Sequence, residues 1–382
     1  MTSSSDLPLG DVRVVDLTGD LGWLPGRLLA DLGADVVRVR TPQTGLDPRR
    51  GPDIEVGDHM TLGADYVVAT LGQRIEQLDP AEPAGARRLA ELLDGADILF
   101  TDEAPEWLGE WGPELGRERP GLVHVAITPY GLDGPYADRP ATDLTLLAAG
   151  GLLNLAGEPD RAPVRPAGGL AGFASGLHAT VGALIALLER KDSGEGQVVD
   201  VSAQQAVAHS LENAIQFADL EGIVRGRTAG TPTEAGNGLF RCRDGWIYLV
   251  AGASGTPLGW AGLLAWLGEY GIDTTDLASD RWQDARWRRT PEAATSFREL
   301  FEAFTTGRAK AELYESGQRH GVSLAPVATP SDLLASPQLI ERGYFRTVPA
   351  GDRQITVPGA PYRFDGADVG PRGGPALLGD AG

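Results

Sequence analysis

The amino-terminal part of this 382-residue chain alternates short apolar runs with segments of helical period. That alternation restricts the fold more than any other feature of the sequence. Val12–Leu17 (VRVVDL) reads as a buried strand, Gly26–Gly33 (GRLLADLG) as a short helix closed by glycine, and Asp35–Arg40 (DVVRVR) as a second strand. Tyr66–Thr70 (YVVAT) predicts a further strand. ARRLAELLDG followed by Ala96–Thr101 (ADILFT) repeats the helix-then-strand unit, and Leu122–Thr128 (LVHVAIT) adds a strand stopped by Pro129. Strands separated by helices predict an α/β fold with a doubly wound, mostly parallel sheet. The phosphate fingerprint G-x-G-x-x-G is missing after the first strand, where TGDLGWLPG stands. A nicotinamide or flavin site therefore loses its main support.

After Ser175, Leu177, Val181, Leu184, Ile185 and Leu188 recur at helical spacing, and KDSGEG ends the run. Gln197–Val201 (QVVDV) predicts a strand. Ser202 and Gln205 form an S-x-x-Q capping box that opens a helix through Val207, Leu211 and Ile215. From Gly222 to Asn237 the texture changes to Gly, Thr, Arg and Pro, as at a domain boundary. Beyond it, LFRCRDGWIYLVAG predicts a hairpin with its turn at Asp244-Gly245, and helical segments carry Trp260, Trp266, Trp282 and Trp287.

Charge narrows the function classes. Asp plus Glu number 53 against 33 Lys plus Arg, a net charge of -20. Such a surface repels phosphate backbones and anionic lipid, so neither nucleic acid nor a membrane is expected as partner. The apolar run Leu177–Leu188 is too short to span a bilayer, and MTSSSDLPLG carries no secretory pattern. Cys242 is the only cysteine, which excludes an internal disulfide and suits a reducing cytoplasm. It reads as buried filler. His59, His124, His178, His209 and His320 form no short-range metal motif, so no metal is expected.

The order of pieces resembles the class III CoA-transferase family, which includes formyl-CoA and carnitine CoA-transferases and alpha-methylacyl-CoA racemases. The resemblance runs through VRVVDLT, LLADLGADVVRV, PYGLDGPYADRPATDLTLLAAGG, GLHATVGALIALLERKDSGEGQVVDVS, FRCRDGWIYLVAG and ITVPGAPYRF. It implies a Rossmann-like large domain (residues 1–222 and 336–382), a small α+β domain (238–325), linkers at 223–237 and 326–335, and an interlocked dimer, either a homodimer or a heteromer with a homologous subunit. It also implies coenzyme A or an acyl-CoA as substrate, with a small carboxylate or CoA ester as the other reactant.

In these transferases an aspartate attacks the acyl-CoA thioester. Aligned through the helix GLHATVGALIALLER, that aspartate falls on Gly172, and neither Asp nor Glu occurs between Asp160 and Glu189. The racemase variant uses a His–Asp pair. Its histidine falls at Thr142 and its aspartate at or near Gly172. For the CoA phosphates, the resemblance assigns Gln73 to a lysine place, leaves Arg74 beside it, puts Ala104 in an arginine place, and matches Arg38 to a basic position. Arg38 reads either as a nucleotide contact or as a solvated strand-end cation, and Arg74 as a surface ion pair or a phosphate contact. Asp143 is read as the cap of the helix LTLLAAGGLL, or as an acid near the acyl group. Glu234 lies where relatives carry a mobile glycine loop, here with Gly236, Asn237 and Gly238. It reads as an exposed loop acid or a second carboxylate for the site. Arg161 and Arg165 bracket APV in the loop before Gly172 and read either as holders of a carboxylate or phosphate or as part of an exposed loop. Three functions follow as expectations: a nucleophile-lacking subunit paired with a homologue that has the aspartate, an autonomous enzyme of altered chemistry, or a non-catalytic binding protein.

Overall fold

The computed structural model describes residues 7–56, 60–102, 118–211, 213–228, 234–251 and 259–375. The chain divides into two compact units. The first comprises Met1–Ala156, Pro163–Arg225 and Pro337–Gly382, and the second Gly157–Ala162 and Gly226–Ser336.

The first unit is built on β1 (Arg13–Leu17), α1 (Trp23–Asp31) and β2 (Asp35–Arg40), followed by a small hairpin of β3 (Asp53–Glu55) and β4 (Thr61–Gly63). Next come α2 (Ala64–Thr70), β5 (Arg74–Gln77), α3 (Pro83–Asp94), β6 (Ile98–Thr101) and β7 (Val123–Thr128). Then follow α4 (Asp143–Ala149), α5 (Leu170–Ser193), β8 (Val198–Ser202), α6 (Ala203–His209) and α7 (Ala214–Glu221). Six strands form one parallel sheet in the order β5-β2-β1-β6-β7-β8. Alternate residues of each strand enter different cores, because successive side chains point to opposite faces. Val14, Val36, Ile98 and Val125 pack with Leu29 of α1 and with Ala179 and Ala183 of α5. Val15, Val37 and Leu99 pack with Leu89 and Leu93 of α3.

The second unit holds the antiparallel strands β9 (Asn237–Cys242), β10 (Gly245–Val250) and β11 (Ser323–Pro326), with helices α8 (Trp260–Glu269), α9 (Pro291–Thr305) and α10 (Lys310–Arg319). Its core is aromatic: Phe240, Trp260, Trp266, Trp282, Phe297, Phe301 and Phe304. The last strands, β12 (Phe345–Ala350) and β13 (Arg353–Pro358), pair as a hairpin that belongs to the first unit.

Four local expectations are corrected. Tyr66–Thr70 is helix α2, not a strand: Tyr66, Val67, Ala69 and Thr70 are the buried set, which is helical spacing, and Arg74–Gln77 takes the strand place. The helix opened by Ser202 stops at His209, where the Ser210 hydroxyl donates to Ala206 O at 3.0 Å, and a separate helix starts at Ala214. The hairpin turn of the second unit is Arg243-Asp244, since Gly245 already pairs with Cys242. The long helix starts at Leu170 rather than after Ser175, which puts Gly172 in its first turn. At 24 residues α5 is long and apolar enough, by length and composition, to cross a bilayer, and half of its most apolar window is buried in the protein.

Candidate functional site

In the sheet order, β1 passes the chain outward to β2 and β5, and the chain then returns to β6 on the other side of β1. The carboxyl ends of β1 and β6 thus mark a topological switch point, where open α/β sheets bind ligands. The loop after β1 is tied there by the residue after β6. Asp102 accepts the backbone N–H groups of Gly19 (2.9 Å), Leu21 (3.1 Å) and Gly22 (3.0 Å). Burial pushes the Asp102 carboxyl up to about 6, against the lowering pull of the Gly19 and Gly22 amides.

That loop meets the head of α5. A Cβ built on Gly172 would stand 2.9 Å from Asp20 O, 3.3 Å from Leu21 O and 3.4 Å from Trp23 Cδ1. The obstacle to a side chain here is therefore contact with two carbonyls. Left-handed backbone is found at Gly168 instead, with φ of 82°.

The helix N-cap is Gly169, which offers no side chain, so Asp143 reaches across and accepts the Ala171 N–H at 2.9 Å. This corrects the reading of Asp143 as the cap of its own helix. Thr142 caps α4, in a reciprocal box with Thr145, while Asp143 caps α5 and pairs with Arg165 at 3.1 Å. Opposite them, Arg50 meets Asp20 at 2.7 Å and Asp65 at 3.9 Å. These groups line a cavity of about 650 Å³ with Thr142, Asp143, Arg165 and Gly172 on its wall.

The residues assigned to CoA phosphates stand elsewhere in the first unit. Arg38 is neither at a strand end nor solvated, because it is 1% exposed. It sits opposite Asp16 in the β1–β2 register and pairs with it at 2.6 Å. It also donates to Gln73 Oε1 (2.9 Å), Thr18 O (3.1 Å) and Trp23 O (3.1 Å). Gln73 is fixed in turn by donating to Ala69 O at 2.8 Å. Burial raises the Asp16 carboxyl pKa, and Arg38 and Thr18 oppose the rise. Arg74 lies in an exposed pair with Asp35 at 2.8 Å. Ala104 and His59 fall outside the described residues.

Glu234, Gly236, Asn237 and Gly238 belong to the second unit. Glu234 is not an exposed loop acid: it is buried against Arg288, 2.7 Å away. Gly236 and Gly238 take φ of 93° and 118°, and Gly236 O accepts the Ala251 N–H at 2.9 Å. Asn237 Oδ1 lies 3.1 Å from the same amide. Cys242 is buried, which pushes its thiol up. His124 is paired with Thr101 Oγ1 at 3.1 Å, and burial lowers it to about 4, so the ring is neutral at pH 7. Among the described residues, no group of three or more His, Cys, Asp or Glu is placed to hold a metal ion.

Sequence reasoning passed over Arg50, Asp20, Asp65 and Asp102. Asp102 carried one usable signal, an acid directly after an apolar strand, at the end where parallel sheets place ligands. The other three come together only through the fold.

Residues 9–380 match the family model described as CoA-transferase family III. The succinyl-CoA:(R)-benzylsuccinate CoA-transferase subunit BbsE of Thauera aromatica is 39% identical over 361 residues, covering 92% of this chain and 87% of that protein. The succinyl-CoA–D-citramalate CoA-transferase of Chloroflexus aurantiacus is 30% identical over 342 residues, covering 88% and 82%. Among solved structures, a CAIB/BAIF family protein from Brucella suis superposes with a TM-score of 0.86 at 26% identity, covering 97% of this chain and 96% of that one. With its parallel sheet, the cavity at the head of α5 and a match along almost its whole length, the chain belongs to CoA-transferase family III.

Proposed function

We propose that the chain is the nucleophile-lacking subunit of an acyl-CoA:carboxylate CoA-transferase and works with a homologous subunit that carries the aspartate. The observation behind this reading is the packing at Gly172, where carbonyls of Asp20 and Leu21 occupy the approach that a side chain would need. Transfer through the enzyme begins when a carboxylate oxygen bonds to the thioester carbon and the CoA thiolate leaves, giving a mixed anhydride. Glycine has no oxygen to offer, so the homologous subunit supplies it. The 39% identical relative, itself named as a subunit, supports this assignment. So does Arg38, whose guanidinium donors are spent on Asp16, Gln73 and two carbonyls rather than kept for a phosphate.

The cavity favours a second role within the same assembly. With Arg50 and Arg165 on its wall it can hold a small carboxylate, although Asp20, Asp65 and Asp143 already share those cations. The test is CoA transfer from succinyl-CoA to dicarboxylate acceptors, measured for the purified chain and for the chain co-purified with an aspartate-bearing homologue from the same host. Turnover is expected from the pair alone. Steady turnover by the single chain would replace this reading with an autonomous enzyme of altered chemistry.

A further inference from the structure

Four of the five histidines lie among the described residues, and two of those are already engaged. His124 is held by Thr101 Oγ1 at 3.1 Å, and His320 by Ser316 O at 2.9 Å and Glu269 at 2.7 Å. His178 and His209 have only each other among the described residues. His178 stands on α5, and His209 is the last residue of α6. Both are exposed, yet the core fixes the backbone beneath them. Ala179, next to His178, is fully buried, as are Ala206 and Val207 on the turn of α6 before His209. Ala171 of α5 packs with Ala203 and Val207 of α6 in one cluster, which sets the two helices against each other. The two imidazole rings meet edge-on, with planes at 89° and centres 5.1 Å apart.

That separation has a chemical meaning. A tetrahedral Zn²⁺ ion holds imidazole nitrogens at about 2.0 Å, and each nitrogen lies about 1.1 Å from its ring centre, so two imidazoles on one ion have centres about 5 Å apart. The pair is spaced as two ligands of one ion. Both rings line a cavity of about 310 Å³ together with Asp200, Ser202 and Gln205. Gln205 and His209 are one helical turn apart on α6 and share a face, so the Gln205 carboxamide can add an oxygen ligand and water the rest. Asp200 accepts the Leu132 N–H through Oδ2 at 3.1 Å, and its charge draws a cation to the cavity. The net charge of -20 adds a field that gathers cations. No third His, Cys, Asp or Glu among the described residues completes the set, so Asp200 acts through its charge and not as a ligand. We infer that His178 and His209 form a site for a divalent transition ion of the Zn²⁺ class, which clasps α6 to α5. Imidazole nitrogens suit Zn²⁺, Ni²⁺ or Cu²⁺, whereas Mg²⁺ and Ca²⁺ take oxygen ligands. The spacing of histidines in the sequence predicted no metal because residues 178 and 209 make no short motif, and only the packing of α5 on α6 joins them. The inference stands apart from the heteromeric reading, since it uses neither Gly172 nor a second subunit.

The test uses the untagged full chain, stripped with EDTA and dialysed into a buffer that does not bind metals, with zinc chloride as the probe. Titration calorimetry should show one Zn²⁺ bound per chain, above the weak background of surface carboxylates. His178→Ala and His209→Ala should each weaken that binding at least 10-fold, and the two together should abolish it. Zinc should also raise the wild-type melting temperature, because the ion binds the folded chain, and should leave the double variant unmoved. Magnesium chloride should bind the wild type and the double variant alike. One-to-one zinc binding that survives both substitutions would place the ion on carboxylates elsewhere and overturn the inference. A wild type that binds zinc no better than the double variant would also overturn it, and would leave the two rings as an edge-to-face contact. Both positions are exposed, so the metal-free variants are expected to melt at the wild-type temperature. Should His209→Ala melt early, His178→Ala decides alone.

Discussion

The charge pairs at Arg38 and at the head of α5, both in the first unit, differ in what water can reach. At Arg38 the pair with Asp16 is sealed between two strands, with both side chains at 1% exposure or less. At the head of α5, Asp143 shares its carboxylate between the Ala171 amide and an Arg165 side chain that is 56% exposed, and Arg50 meets an Asp20 side chain that is 82% exposed. The sealed pair belongs to the architecture. Taking two charges out of water is repaid only while both remain, so either one alone is a liability. The open pairs are individually weak and free to be exchanged for a ligand. The resemblance assigned ligand contacts to Arg38, but the buried network makes that residue a structural pin, and the chargeable surface lies around Gly172 instead.

The comparison can be broken most easily at the sealed end. Arg38→Met leaves Asp16 buried without a counter-charge and should cost about 3–5 kcal/mol, read from the urea midpoint. The double variant Asp16→Leu/Arg38→Met should recover most of that loss. If Arg38→Met is silent, the pair is not the pin described here.

Gly172 comes next. Gly172→Ala should cost about 1–3 kcal/mol, because its Cβ meets the Asp20 carbonyl at 2.9 Å. Gly172→Asp should cost more, since a carboxylate adds repulsion to the same two carbonyl oxygens. Equal melting of all three proteins would mean that the loop yields easily and that the site is merely empty.

How much of this was readable beforehand follows from sequence distance. The parallel sheet was legible because buried strands and amphipathic helices declare their period locally. The helix at Tyr66 was not, since the five-residue run YVVAT fits either period and only packing chose between them. At the site, Thr142, Asp143 and Gly172 were found through one motif order, and the structure brings them to one cavity. Asp102 and the β1 loop it holds are separated by 80 to 83 residues, so no local pattern could join them. The exposed side chains Leu177, Val181, Ile185 and Leu188 of α5 were in plain view as helical spacing, but spacing alone does not say which face is inside.

Smaller effects sharpen the contrast. Asp102 has its carboxyl raised from 3.8 to about 6. The folded protein holds that proton more tightly than the unfolded chain, so protonation stabilises the fold. Stability from this group is fully present below about 4 and is lost as pH rises through about 6. Asp102→Asn should flatten the wild-type decline of melting temperature across that window, and parallel profiles would show that Asp102 is not the group. Asp143→Ala removes the acceptor from the Ala171 amide and should cost about 1 kcal/mol. Arg165→Ala, at an exposed pair, should cost under about 1 kcal/mol.

The most direct measurement is adduct mapping in the assembled pair. The chain and its aspartate-bearing homologue are incubated with an acyl-CoA donor, quenched with hydroxylamine or borohydride, and both subunits are digested and read by mass spectrometry. The account predicts modification of the homologue's aspartate and none on this chain. A modified Asp143 or Glu234 in this chain, formed at the rate of turnover, would contradict it.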